Sequence, residues 1–142
     1  MVGTTAIVTE MYRWFNKTLF QGEGKLAGRL YHAGTRQTIG DQDGVLQSLS
    51  SSPAQFSSAD IALYIYCNDI ENGSNLLVKD TKTLGIVEEK ICGLFPEFSN
   101  TVCLKNMKVR MTFLNTEART NLKQHCVSAV FAVTWVVDPR KV

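Results

Sequence analysis

The sequence predicts an α+β domain, with a mostly antiparallel sheet of about 4–5 strands and two helices packed on one face. Three observations predict it. Segments 4–20 and 80–94 carry apolar residues at the spacing of a helix face. Segments 58–68, 107–114 and 124–137 alternate side chain by side chain, as strands do. The two patterns are interleaved in the order helix, strand, helix, strand, strand, with a weak strand early in the chain. The whole chain, residues 1–142, reads as one domain, with a long polar loop region at 35–57.

Taken in order, Ile7, Met11, Trp14, Phe15 and Leu19 form one stripe of the first helix, and Gly22 and Gly24 end it. An aromatic stripe at this spacing reads as a core face. Residues 25–34 suggest a short strand weakened by Gly28. The Asp43-Gly44 pair then marks a turn or an ordered loop tip. Six of the twelve residues from Gln47 to Ser58 are serine, and Pro53 stands among them, so a mobile loop is expected there.

Ala59, Ile61, Leu63, Ile65 and Cys67 alternate with Asp60, Ala62, Tyr64 and Tyr66, which predicts an interior strand. Asp80 or Thr81 caps the second helix. Its stripe is Leu84, Val87, Ile91 and Leu94, while Glu88, Glu89 and Lys90 face away, and Gly93 and Pro96 stop it. Met107, Val109, Met111 and Phe113 share a face against Lys108, Arg110 and Thr112; a polar connection, 115–123, follows. The closing strand places Val127, Ala129, Phe131, Val133, Trp135 and Val137 on one face. Its other face, Cys126, Ser128, Val130, Ala132, Thr134 and Val136, is also largely apolar. One face of an antiparallel sheet is normally wet, so a second apolar face implies another layer or another subunit.

A formal net charge of +2 over 142 residues is not the footprint of a dedicated nucleic-acid binder. The N-terminus lacks the pattern of a secretory leader, and no stretch is long and apolar enough for a membrane helix; a soluble, non-secreted protein is expected. The four cysteines, Cys67, Cys92, Cys103 and Cys126, form no CxxC pair and read as small buried hydrophobes in a reducing compartment. None of the phosphate-loop, dinucleotide, zinc-protease or nucleophile-elbow motifs is present. Asp41 and Asp43 resemble the start of a calcium loop, but the later ligands of that pattern are missing, so a turn is expected. His125 adjoins Cys126, but neighbouring strand residues point to opposite faces. The sequence therefore assigns no catalytic, cofactor-binding or metal-ligating residue, and no cofactor.

The segments TTAIVTEMYRWFNKTLF, SADIALYIYCND, TKTLGIVEEKICGLFPEF and CVSAVFAVTWVV stand in a distinctive order. They resemble the first helix, middle strand, following helix and closing strand of the tail terminator, or tail-completion, proteins of long-tailed bacteriophages. The resemblance implies a structural virion protein assembled in the host cytoplasm. It would form a homo-oligomeric ring, commonly a hexamer, that caps the tail tube and joins it to the neck. The partners so implied are the tail tube protein and a neck connector, with the sheath protein as a further candidate. DNA would pass through the lumen without specific binding, and no membrane is involved. A cyclic ring needs two different patches on each subunit. The candidate interface residues are Ser50, Ser51, Ser52, Pro53, Gln55, Phe56, Arg36 and Arg119, and the candidate basic residues facing the lumen are Lys108 and Arg110. Two other readings compete. One is another neck or head-completion connector. The other is a small α+β enzyme or ligand-binding domain using Cys126 or Cys67 with His32.

Overall fold

The fold is seen in a computed structural model of the chain, which describes residues 4–34, 39–52, 57–71, 73, 76–96, 99–101, 107–118 and 123–135. Helix α1 spans Thr4–Leu19 and α2 spans Thr81–Leu94. The strands are β1 (Leu30–His32), β2 (Gly44–Ser52), β3 (Ser57–Asn68), β4 (Ile70–Glu71), β5 (Leu77–Val78), β6 (Ser99–Thr101), β7 (Met107–Ala118) and β8 (Gln124–Trp135). Six of them form one sheet in the order β1-β2-β3-β8-β7-β6, and β4 and β5 form a separate two-stranded ribbon. The α+β class holds, but the sheet is mixed, because the edge strand β1 runs parallel to β2 while every other pairing is antiparallel.

Both helices lie on the same sheet face. Ile7, Met11, Phe15 and Leu19 from α1 and Leu84, Val87 and Ile91 from α2 share one buried cluster with Ile61, Leu63 and Ile65 of β3 and Val127, Ala129, Phe131 and Val133 of β8. Phe15, Phe95 and Phe131 meet at its centre, with ring centroids 4.8–6.3 Å apart. Trp14 closes the edge of this group, edge-on to Phe15 and Phe95. Asp80 is the cap of α2: its carboxylate accepts from the Thr83 backbone N–H at 3.1 Å and from Thr83 Oγ1 at 2.6 Å. Those bonds hold its pKa below the usual carboxylate value.

Several elements depart from the sequence reading. Of the 35–57 region expected as a long polar loop, residues 44–52 are instead strand β2, paired with β3 from Gly44↔Ile65 to Ser52↔Ser58, while 35–38 and 53–56 lie outside the described residues. Its serines offer little apolar surface. The strand follows from β3, whose N–H and C=O groups on that side need a partner. The early strand shrinks from 25–34 to Leu30–His32, held to α1 by the Tyr12 hydroxyl, which donates to Leu30 O at 2.7 Å, and by stacking of Tyr12 on His32. The polar connection after β7 is shorter than expected, because β7 continues to Ala118. Glu88 does not face away: its Oε1 accepts from Thr116 Oγ1 at 2.6 Å, which ties α2 to β7. Lys90 donates to Gly24 O in an exposed contact that ties α2 to the segment after α1.

Gly28 lies outside any strand and is needed for another reason. A Cβ there would sit 2.3 Å from the carbonyl of Gln42 and 2.5 Å from Asp43 N. Backbone cannot yield as a side-chain tip can. Gly28→Ala is expected to cost about 2–3 kcal/mol, the upper part of the overpacking range, as read by urea denaturation.

Candidate functional site

The sheet face opposite the helices carries no helix layer among the described elements. Register across β2, β3, β8 and β7 lays it out in rows. One row is Val45–Tyr64–Ser128–Asn115, and the next is Gln47–Ala62–Val130–Phe113. A third row sets Asp60 and Arg110 on either side of Ala132, and a fourth ends in Thr134 and Lys108. Ala62, Cys126 and Ser128 are buried even though they are on this outer face. They are small, and half-buried Tyr64 and Tyr66 stand directly across from Ser128 and Cys126. Further along β8 the face opens: Val130 and Ala132 are half-buried and Thr134 is exposed. The outer face is thus apolar in its middle and ends in three exposed charges, Asp60, Arg110 and Lys108.

Phe113 reaches this surface by a register shift. Met111 pairs with Phe131 and Phe113 with Val130, so a bulge at Thr112 absorbs one residue. The expected grouping of Phe113 with Met107, Val109 and Met111 is therefore corrected. Phe113 crosses to the outer face, where it is 45% exposed. Leu114 takes the inward position and packs on the core. The Thr112 hydroxyl donates to Val130 O at 3.1 Å within the bulge.

The other expected site residues are only partly placed. Ser50, Ser51 and Ser52 belong to β2, where their backbones pair with Asp60, Ala59 and Ser58. Arg36, Pro53, Gln55, Phe56 and Arg119 lie outside the described residues, as do Cys103, Val136 and Val137. Removing 50–56 would therefore delete three rungs of the β2–β3 ladder along with any loop beyond them.

The cysteine–histidine set falls apart on geometry. His32 sits on the edge strand β1, opposite Leu46, which in turn pairs with Leu63. Cys67 is two strands away and four residues further along β3, and Cys126 is one strand beyond that. The histidine that Cys67 does face is His125, its direct partner across β3 and β8. The Nδ1 of His125 lies 2.7 Å from Asp69 Oδ1. A cysteine, a histidine and an aspartate in series resemble a nucleophile relay, but the thiol is not poised to react. Burial, with smaller contributions from Asp41, Asp80 and Cys126, pushes Cys67 from 9.0 up to about 12. Cys92 departs from the expected burial and is exposed.

The expected labelling pattern follows. In the native protein a maleimide at neutral pH reaches Cys92, whereas Cys67 and Cys126 react only after denaturation; peptide mapping of the adducts checks it. Because the folded-state pKa of Cys67 is raised, its contribution to stability is complete below about pH 9 and declines as pH rises toward 12. Cys67→Ala should therefore flatten the alkaline limb of the stability curve.

The Asp41-Gln42-Asp43 turn uses its carboxylates structurally. Asp43 is buried; its two oxygens accept from Arg29 N at 2.8 Å and Gly40 N at 2.6 Å. Asp41 Oδ1 accepts from Asn68 N at 2.9 Å. Among the described residues no group of three or more His, Cys, Asp or Glu side chains could hold a metal ion. Among them, too, no helix is long and apolar enough to cross a membrane.

Strand β6 and the β4–β5 ribbon escaped the sequence reading; in the ribbon Ile70 stands opposite Val78 and Glu71 opposite Leu77. Ile70, Leu76, Leu77 and Val78 are all exposed. The available signal was the apolar run Leu76-Leu77-Val78, separated from Ile70 by a turn-forming Asn72-Gly73. No protein-family model and no curated protein matches this chain.

Proposed function

We propose that the chain is a structural virion protein, a tail terminator-like ring subunit that caps a bacteriophage tail tube and joins it to the neck. The observation that carries this reading is the outer sheet face, apolar at Val45, Tyr64, Phe113, Val130 and Ala132 and without a helix layer over it among the described elements. A face of that kind suits burial against a neighbouring subunit. The order of elements adds support: the segments that carry the resemblance fold as helix α1, strand β3, helix α2 and strand β8. Lys108 and Arg110, the residues expected to face the lumen, stand exposed on this same outer face and so border the subunit contact in this reading.

The experiment is to make particles without this protein. A terminator's absence leaves tail tubes of uncontrolled length that carry no heads. Tubes of normal length beside unjoined heads would instead assign the protein to the neck. Normal particles would refute both assignments.

A further inference from the structure

The β4–β5 ribbon leaves the sheet at the Asn68 end of β3, while Lys108 and Arg110 stand on the outer face toward the other end of that sheet. Of the seven large apolar side chains exposed among the described residues, four belong to the ribbon or adjoin it: Ile70, Leu76, Leu77 and Val78. Leu76 is 63% exposed. Ile70 and Val78 share one face of the ribbon by their pairing, while Leu77 and Glu71 share the other. Each side of the ribbon therefore exposes apolar surface, with Glu71 the one polar side chain among the four paired residues, and no second layer covers it among the described residues. Isolated two-stranded hairpins are marginal in water, so such an arm gains stability only by docking.

We infer that the β4–β5 arm of one subunit docks on the outer sheet face of a second copy of this chain, beside Phe113 and Val130 and against Lys108 and Arg110. The inference rests on the ring reading, since it names the contact that would join neighbouring subunits. Three observations select the occupant. The receiving surface has an apolar middle that matches the arm, with Phe113 and Val130 side by side across β7 and β8. Its open end carries exposed Lys108 and Arg110, with exposed Asp60 across Ala132 from Arg110, while the exposed charges of the arm are Glu71 and Lys79, so the charge match is that of Glu71 with the two cations. Finally, the arm cannot reach that end of its own sheet. It leaves β3 just beyond Asn68, which pairs with Gln124, whereas Lys108 lies beside Thr134. Ten residues of strand separate those rows, roughly 33 Å at about 3.3 Å per residue. Two unlike patches of one subunit make a head-to-tail contact, the kind that closes rings.

The test is sedimentation velocity of the full chain over a concentration series, with variants Leu77→Asp on the arm and Arg110→Glu on the face. Both positions are exposed, so both variants should fold, and far-UV circular dichroism verifies it. Each variant alone should weaken self-association at least tenfold. An equimolar mixture of the two should restore a discrete pair and nothing larger, because one good arm meets one good face. Glu71→Lys combined with Arg110→Glu should recover association that either change alone reduces. If the wild type associates and Leu77→Asp associates as tightly, the arm is not the contact and the inference fails, while the ring reading stands on the particle experiments. If the wild type stays monomeric at every concentration, the second copy is the wrong occupant. Loss of binding to another virion protein by Leu77→Asp, without loss of self-association, would also overturn it.

Discussion

Phe131→Ala should lower the stability of the protein by about 3–5 kcal/mol, enough to leave a domain of ordinary stability partly unfolded. Phe131 is fully buried near the middle of β8, and its ring lies 5.3 Å from that of Phe15 and 4.8 Å from that of Phe95. It is the point where the sheet meets both the α1 stripe and the residue that ends α2. Truncation removes the transfer free energy of a large side chain and leaves a cavity walled by two other rings. Those rings are anchored on different elements, so collapse to fill the space is limited. Phe131→Leu should recover much of the loss, because it restores most of the volume. Equilibrium unfolding in urea checks both. A loss under 1 kcal/mol for the alanine variant would mean that the three-ring cluster is not the centre of the core.

The second large effect is expected far from that cluster. Asp43→Ala should cost about 2–4 kcal/mol, because it orphans two backbone donors, Arg29 N and Gly40 N, each worth roughly 1–3 kcal/mol when left unpaired. The turn around Asp43 is the clamp that joins the start of β2 to the segment before β1. Gly44 N donates to Arg29 O at 2.8 Å, Tyr66 N to Asp43 O at 2.9 Å, and Gln42 Oε1 accepts from Ala27 N at 2.9 Å. Gln42 holds a φ of 61°, an uncommon conformation for a residue other than glycine. Asp43→Asn keeps one acceptor and should lose about half as much. Hydrogen exchange at residues 27–30 and 40–46 should accelerate in the alanine variant, while exchange in the middle of β8 changes only with global stability. Unchanged exchange in the turn would contradict the clamp.

The parts of this fold legible in the sequence are those where one side chain in two, or one in three or four, had to be apolar. Helices α1 and α2 and strands β3 and β8 bury the residues their periodicity selects, from Ile7 and Leu84 to Ile61 and Phe131. Strand β2 was hidden because its inward positions include serine; its existence depends on the edge of β3, a long-range fact that no local pattern carries. The bulge at Thr112 was hidden for a related reason. An alternating pattern looks the same up to the residue where the register slips, and only pairing with Val130 shows that Phe113 has changed sides. The candidate surface was legible at Lys108 and Arg110, which stand on the outer face as alternation requires. Cys67 and His125 were not legible as neighbours, because their meeting is set by the β3–β8 register across 58 residues of chain. The arm was passed over because its strands are two residues each, too short for periodicity to register.

The central claim is that this protein belongs to a ring at the head-proximal end of a phage tail. Electron microscopy of particles decorated with an antibody raised against the purified chain tests it most directly. The account predicts label at a single level, between the last tube ring and the neck. Label along the tube, at the distal tip or on the head shell, or particles that carry none, would contradict it.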